Sequence, residues 1–237
     1  MAGGERREAK SEWREAGEIP GNAVLIDVFS DLVCPWCYIG IHRLARALAE
    51  RPRLRLRRRW HPFMLSPDLP AAGIDRALYL TIRFGSRERA RQMLAVVEET
   101  AQRDGLPLNL GRIARTPNTL DAHRMVLLAE AGGSGEKLVE ALFAAYFVDG
   151  LDIGDHDLLL VLAAAAGVDP EAAKSCLATG GGPDLARFQA EVASHQLDLH
   201  AVPCFIFERR FVLAGAQEPV AFLPLLDLAA GDAGLAA

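Results

Sequence analysis

Two cysteines separated by a proline and a tryptophan, Cys34-Pro35-Trp36-Cys37, are the residues of this sequence best suited to chemistry. Two thiols at this spacing can form a disulfide and exchange it with a second thiol or disulfide. The apolar run Val24–Phe29 before them is typical of a buried strand, and the pattern after them is helical. Pro35 suits a first helical position, so Cys34 would lie where free N–H groups and the helix dipole stabilise a thiolate. We expect Cys34 to be the nucleophile and Cys37, one turn inside the helix, to be a buried resolving thiol.

The same pair has two other interpretations, half of a zinc site or two inert core thiols. A structural zinc site takes four ligands, and the sequence contains no second closely spaced pair of cysteines or histidines. The other cysteines, Cys176 and Cys204, are single, and each is expected to be a buried core residue. A third redox thiol is the alternative for Cys204, because it follows Pro203 directly. We favour redox chemistry without a metal.

Composition and charge exclude several classes of protein. The chain has 237 residues, of which 51% are hydrophobic and 24% charged, so it is neither mostly disordered nor collagen-like. A net charge of −5 argues against a basic nucleic-acid binder. The longest apolar stretch, 158–168, is shorter than the roughly 20 residues that span a bilayer. Residues 1–20 are highly charged and lack the apolar core of a secretion signal, so we expect a disordered leader over 1–22 and a cytoplasmic protein.

The elements expected around the thiols are a small α/β unit, formed by the two ends of the chain, and helices between them. A second strand is expected over 53–63 and a hairpin over 202–215. The apolar periodicity predicts helices near residues 74–84, 86–104, 118–132, 135–148, 155–167, 170–179, 183–199 and 219–230. This order predicts an α/β fold in which segments 23–69 and 184–231 form one domain and segment 70–183 is an all-helical insertion.

The second predicted strand alternates apolar and basic residues. Leu56 and Trp60 would lie on one face of the strand. Arg58 falls on the same face, and the sequence alone does not explain why. The basic run from Arg51 to Arg59 is expected to be the solvated face of an edge strand, with a site for an acidic partner as the alternative.

Further residues are candidates for binding a substrate beside the thiols. Pro203 before a strand usually marks a boundary, but a rigid loop facing the thiols is the functional alternative. In that case the backbone of Val202 is free to pair with an extended substrate. Trp36 either offers an apolar platform or packs the start of the helix. Asn118 and His123 either line a groove between the two domains or serve as a helix N-cap and an ordinary core or surface residue.

Together these motifs resemble the DsbA-like thioredoxin-fold group that includes the FrnE-type oxidoreductases. Its relatives are the 2-hydroxychromene-2-carboxylate isomerases and the kappa-class glutathione transferases. The resemblance extends from about residue 23 to residue 228. It rests on the segments Phe29–Gly40, Trp60–Pro67, Asn118-Thr119 with Ala122-His123-Arg124, Leu142–Phe147, Val202-Pro203 and Ala214–Gln217.

The resemblance implies a thioredoxin fold with a large all-helical insertion and a cis proline at Pro203 facing the thiols. It also implies thiol–disulfide exchange by Cys34 and Cys37, with protein thiols or glutathione as partners and no resident cofactor. In the isomerases and transferases the first motif position is typically serine, so Cys34 favours dithiol redox chemistry. A glutathione-dependent isomerase or transferase is the alternative, and a non-catalytic binding protein with a structural CxxC is the alternative from another class. We expect a monomer or a homodimer that binds neither nucleic acid nor membrane.

Overall fold

The structure is a computed structural model that describes residues 23–179 and 201–232. The predicted leader over 1–22, the helix predicted over 183–199 and the boundary predicted between residues 183 and 184 lie outside the described residues. Those three expectations therefore stay predictions.

A four-stranded sheet in the order β2-β1-β5-β6 forms the centre of the fold. β1 (Val24–Ser30) runs parallel to β2 (Leu56–Pro62) and antiparallel to β5 (Cys204–Phe207). β5 continues through a tight hairpin into β6 (Phe211–Ala214). β1 is an interior strand and all seven of its residues are buried, in agreement with its nearly continuous apolar sequence.

Two helices pack together beside this sheet. α1 (Pro35–Ala49) follows β1, and α8 (Pro219–Asp232) follows β6 and contacts β1, β5 and β6. The rings of Phe205 in β5 and Phe222 in α8 lie edge to face, with centroids 5.1 Å apart. This contact fixes α8 on the sheet, and α1 in turn packs against α8.

The segment between β2 and β5 is largely helical, as predicted. Asp75, Ser86 and Asp155 each accept a hydrogen bond from a backbone N–H in the first turn of the following helix. None of the described helices is long and apolar enough to cross a membrane. The helices are α2 (Arg76–Phe84), α3 (Arg87–Arg103), α4 (Leu120–Ala131), α5 (Gly135–Phe147), α6 (His156–Ala166) and α7 (Pro170–Thr179).

This architecture confirms the predicted α/β fold with a large helical insertion and adds a short ribbon to it. β3 (Ile74–Asp75) pairs antiparallel with β4 (Arg115–Thr116) inside the helical segment. Two-residue strands show no recognisable period, so hydrophobic patterning could not reveal them. The ribbon joins the start of α2 to the chain just before α4.

Arg58 and Arg59 of β2 are half-buried and ion-paired, which corrects the expectation of a solvated face at these positions, whereas Arg53 and Arg55 before the strand are exposed as expected. β2 is an edge strand of the described sheet, as expected, but helices α4 and α5 pack against it. Arg58 pairs with Glu136 of α5, and Arg59 pairs with Asp27 of β1. Arg58 can share a face with apolar residues because the covering helix supplies its carboxylate.

Candidate active site

Cys34 is the N-cap residue of α1. Its backbone is extended, with φ −88° and ψ 112°, and Pro35 follows at the start of the helix. The carbonyl of Cys34 accepts hydrogen bonds from the N–H groups of Cys37 (3.0 Å) and Tyr38 (3.3 Å). Its own N–H donates to the carbonyl of Asp31 (3.1 Å). The thiol is therefore held at the positive end of a four-turn helix, where a thiolate is stabilised.

The loop before β5 faces this thiol. The peptide bond between Val202 and Pro203 is cis, as the resemblance implied. The Cys34 thiol donates a hydrogen bond to the carbonyl oxygen of Val202, with a sulfur–oxygen distance of 3.8 Å. The backbone of Val202 thus lies in direct contact with the first cysteine of the motif.

Gly40 allows α1 to approach this loop, and sequence reasoning did not single it out. A Cβ atom at Gly40 would lie 2.8 Å from Cγ of Pro203 and 3.4 Å from the ring of Phe205. No real side chain fits there without movement of the loop. A glycine inside a helical pattern is the signal that could have indicated a close approach.

Cys37 lies in a different environment from Cys34. Its side chain is completely buried. Burial and the neighbouring Cys34 raise the pKa of Cys37 well above its ordinary value, whereas the nearby Ser30 hydroxyl and the Asp31 backbone lower it because they favour the thiolate. Cys37 is therefore a protonated thiol at neutral pH.

Cys34 lines an open cleft with a volume of about 240 Å³. The start of α1, the loop at Val202 and one side of α2 and α3 form its walls. The lining is largely apolar and includes the side chains of Arg76 and Arg83. The predicted site residues that line it are Cys34, Pro35, Trp36 and Val202.

The other two predicted groove residues, Asn118 and His123, are not among the residues that line this cleft. The amide nitrogen of Asn118 donates to the carbonyl of Leu69 (2.7 Å), and its amide oxygen accepts from the N–H of Leu120 (3.0 Å) at the start of α4. His123 is buried, and its Nε2 lies 3.3 Å from Oδ1 of Asp31. The core alternative describes the contacts of His123. Asn118 is not the N-cap itself, which is Thr119, but it lies one residue earlier and its side chain accepts from the first N–H of the helix.

Asp31 organises the base of the site and was missed by sequence reasoning. This buried carboxylate accepts a hydrogen bond from the N–H of Leu65 (2.7 Å) and faces His123 of α4. Its carbonyl also accepts from Cys34. Through these contacts Asp31 connects the turn before Cys34, the segment after β2 and helix α4. An acidic residue three positions before the first cysteine was the available signal, because a carboxylate in a buried loop needs partners.

The two single cysteines are buried thiols. Burial raises the pKa of Cys204 to about 11 and also raises the pKa of Cys176. All four cysteines are free thiols in this structure. Within residues 23–179 and 201–232, no three His, Cys, Asp or Glu side chains are grouped as a metal site requires.

Known proteins resemble this chain over most of its length. The Bacillus subtilis protein YwbO, described as an uncharacterized protein, is 29% identical over 197 residues, or 83% of this chain and 93% of YwbO. A probable DsbA oxidoreductase from Streptomyces coelicolor is also 29% identical, with a TM-score of 0.72 over 88% of this chain and 91% of that one.

The fold is shared with two more distant groups. The cytosolic disulfide reductase DsbM from Pseudomonas aeruginosa, solved with GSH, is 22% identical, with a TM-score of 0.59 over 88% of this chain and 96% of DsbM. A 2-hydroxychromene-2-carboxylate isomerase is 16% identical, with a TM-score of 0.59 over 90% of this chain and 100% of the isomerase. A family model described as the DSBA-like thioredoxin domain matches residues 25–227. This match confirms the resemblance found in the sequence: the chain belongs to the DsbA-like thioredoxin family.

Proposed function

We propose that this protein is a thiol–disulfide oxidoreductase that works through Cys34 and Cys37. The observation that carries the proposal is the pairing of two unlike thiols at one helix N-terminus. Cys34 contacts the Val202 carbonyl and lines an open cleft, whereas Cys37 is completely buried beside it. This difference supports a role for Cys34 in attacking the substrate and for Cys37 in attacking the Cys34 sulfur.

In the reducing direction the Cys34 thiolate attacks one sulfur of a substrate disulfide. The substrate S–S bond breaks, a bond from that sulfur to Cys34 forms, and the other half leaves as a thiolate with the electron pair. Cys37 then loses its proton and attacks the Cys34 sulfur, which releases the second half as a thiolate and closes the Cys34–Cys37 disulfide. The substrate gains two electrons and the protein loses two. The reverse sequence oxidises two substrate thiols.

The surrounding residues have separate roles in this proposal. The N-terminus of α1 stabilises the Cys34 thiolate. Burial keeps Cys37 protonated until the mixed disulfide forms. Pro203 holds Val202 against the thiol, so that the Val202 backbone pairs with the substrate, and Pro35 and Trp36 form the adjoining wall of the cleft.

A redox titration in glutathione buffers, monitored by Trp36 fluorescence, tests the proposal. We expect one reversible two-electron transition that Cys34→Ser abolishes. Cys176→Ser is the matched control and should leave the transition unchanged, because Cys176 lies in α7, away from the cleft. A midpoint near roughly −270 mV indicates a reductant, and one near roughly −120 mV indicates an oxidant. Failure to form an internal disulfide would contradict dithiol redox chemistry.

A glutathione-dependent isomerase or transferase is the second candidate, favoured by the largely apolar lining of the cleft. Such an activity uses glutathione as the thiol and has no need for a resolving cysteine. It should therefore survive Cys37→Ser in the presence of glutathione, whereas multiple turnovers of dithiol exchange should be lost. Assaying both reactions with this one variant separates the two candidates.

The partners and location complete the proposal. The substrates are thiols or disulfides of proteins or of small molecules such as glutathione, and the protein needs no resident cofactor. We place it in the cytoplasm, as a monomer or homodimer. Cell fractionation and size-exclusion chromatography with light scattering test these assignments.

A further inference from the structure

One face of α2 lines the cleft beside Cys34 and carries two arginines. Arg76, Tyr79, Leu80 and Arg83 are spaced i, i+3, i+4 and i+7, which places them along a single side of a helix. All four line the cleft. The wall that α2 contributes to the cleft therefore combines two cations with apolar and aromatic surface.

Arg76 is buried without a carboxylate partner among the described residues. Arg76 is only 7% exposed. Nη1 donates to the hydroxyl of Tyr146 (3.0 Å), and the guanidinium carbon lies 5.8 Å from the centroid of that ring. Burial raises the pKa of Tyr146 to about 12, so this partner is neutral. A buried arginine is ordinarily paired with an anion.

The remaining nitrogens of Arg76 form the edge that a carboxylate prefers. Nε and Nη2 have no hydrogen-bond partner among residues 23–179 and 201–232. This is the same edge through which Arg51 binds the carboxylate of Asp227, with Nε–Oδ1 at 2.6 Å and Nη2–Oδ2 at 2.8 Å. Two parallel hydrogen bonds of this kind fix both the position and the orientation of a carboxylate.

The lining of the cleft offers no competing acid in the part of the chain that the structure describes. Most of the other lining side chains are apolar, which strengthens an ion pair because the local dielectric constant is low. Arg83, two turns along the same face, is exposed and adds attraction for an approaching anion.

We propose that Arg76 binds a carboxylate of the substrate, so that the cleft selects small thiols and disulfides whose sulfur-bearing half carries a carboxylate. This inference rests on the proposed oxidoreductase function and adds a substrate class to it. Arg76 holds the carboxylate while the adjacent sulfur meets Cys34. The Cys34 thiolate forms the new S–S bond with that half, and the other half leaves as a thiolate. Cys37 then releases the bound half as the reduced, carboxylate-bearing thiol.

Two matched aromatic disulfides test this assignment. Bis(para-carboxyphenyl) disulfide carries the anion, and the corresponding bis-carboxamide is a neutral compound of similar size. We expect wild-type protein to favour the acid, and Arg76→Met to lower kcat/KM for the acid by roughly tenfold to a hundredfold. The carboxamide should change by less than about threefold, because the lost hydrogen bonds are to the anion.

Arg87→Met is the matched control, since it removes the same charge from an exposed position outside the cleft lining. It should leave both substrates unaffected. Arg76→Lys keeps the charge but loses the paired donors, so its kcat/KM for the acid should lie between wild type and Arg76→Met. If Arg76→Met fails to fold, the acid-to-carboxamide ratio of the wild-type protein and its decrease with added salt test the same contact.

The outcomes distinguish failure of the carboxylate site from failure of the oxidoreductase function. Equal turnover of acid and carboxamide by the wild-type protein overturns the carboxylate site and leaves the oxidoreductase intact. Reduction of neither compound, together with no Cys34–Cys37 disulfide, overturns the oxidoreductase itself. Oxidised glutathione as a third substrate identifies the source of the carboxylate: a similar loss in Arg76→Met indicates a peptide thiol, and no loss indicates a non-peptide acid.

Discussion

Cys34 and Cys37 are three residues apart, but the fold gives them opposite environments. Cys34 lies at the N-terminus of α1, contacts the Val202 carbonyl and lines the cleft. Cys37 is enclosed, and the Ser30 hydroxyl is one of the few groups that favour its thiolate. The rate of the second exchange step should therefore depend on what surrounds Cys37.

Ser30→Ala should slow the step in which Cys37 resolves a mixed disulfide on Cys34. The hydroxyl lowers the pKa of Cys37, so its removal raises that pKa further and reduces the thiolate fraction at a given pH. We expect a rate about threefold to tenfold lower at neutral pH, which is the size of the net effect of one ordinary polar interaction, about 0.5–1.5 kcal/mol. Stopped-flow release of a chromogenic thiol from Cys34 measures it.

The pH profile of the same step provides the check. Because the pKa of Cys37 lies well above its ordinary value, the wild-type rate should still be rising at about pH 9. The Ser30→Ala profile should be displaced to higher pH, and Ser175→Ala, an exposed serine in α7, should leave it unchanged. Superimposable profiles for Ser30→Ala and wild type would show that the hydroxyl does not act on Cys37.

At the scale of elements, the site depends on how closely α1 approaches the cis-proline loop. Gly40 makes that contact, with no room for a side chain between α1 and Pro203. An alanine in the middle of a helix normally stabilises it by up to about 1 kcal/mol relative to glycine. Steric overlap at Gly40 should outweigh this gain, because crowding a packed interior costs about 1–3 kcal/mol.

Gly40→Ala should therefore lower the free energy of unfolding by about 1–2 kcal/mol and reduce disulfide exchange. Urea denaturation and the rate of Cys34 alkylation measure the two effects. Gly111→Ala is the control, since a Cβ there has no neighbour within 4 Å and should change stability by less than about 0.5 kcal/mol. A Gly40→Ala variant more stable than wild type would refute the tight contact.

At the scale of the whole molecule, one buried arginine connects three parts of the chain. Arg43 of α1 is 3% exposed and pairs with Asp104 at the end of α3. It also donates to the carbonyl of Ala216 (2.8 Å) and pairs with Glu218 (2.8 Å), both in the segment between β6 and α8. The helix that carries the two cysteines is thereby joined to the helical insertion and to the C-terminal part of the sheet.

Asp104→Asn should destabilise the protein through this connection. Removing one partner of a buried ion pair costs about 3–5 kcal/mol, and the lower end applies here because Glu218 still pairs with Arg43. Thermal and chemical denaturation measure the loss. Glu171→Gln disrupts the exposed pair with Lys174 and should leave stability unchanged, so equal stability of the two variants would contradict the role of Arg43.

The elements and the two thiols could be predicted from the sequence because their signals are local. A strand, a CxxC and a helix start lie within 26 consecutive residues, Val24–Ala49, and the helices between 76 and 179 show apolar periodicity and capping residues. Element ends were less accurate: the strand predicted from 53 begins at Leu56, and the β3–β4 ribbon was absent from the prediction. The family resemblance was likewise visible, because its motifs are short stretches of sequence.

Only the tertiary structure decided which distant side chains meet. It placed Arg76 on the wall of the Cys34 cleft, although 42 positions separate the two residues in sequence, and it gave Arg58 a carboxylate from α5. The structure also brings His123 into contact with Asp31, and Asn118 with Leu69, at positions for which the sequence had left a substrate groove and a structural role as alternatives. Local periodicity reports which face of an element is apolar, but it carries no information on which other element covers that face. The chemistry of the two cysteines could therefore be predicted from the sequence, whereas the charge and shape of the cleft beside them depend on how the elements pack.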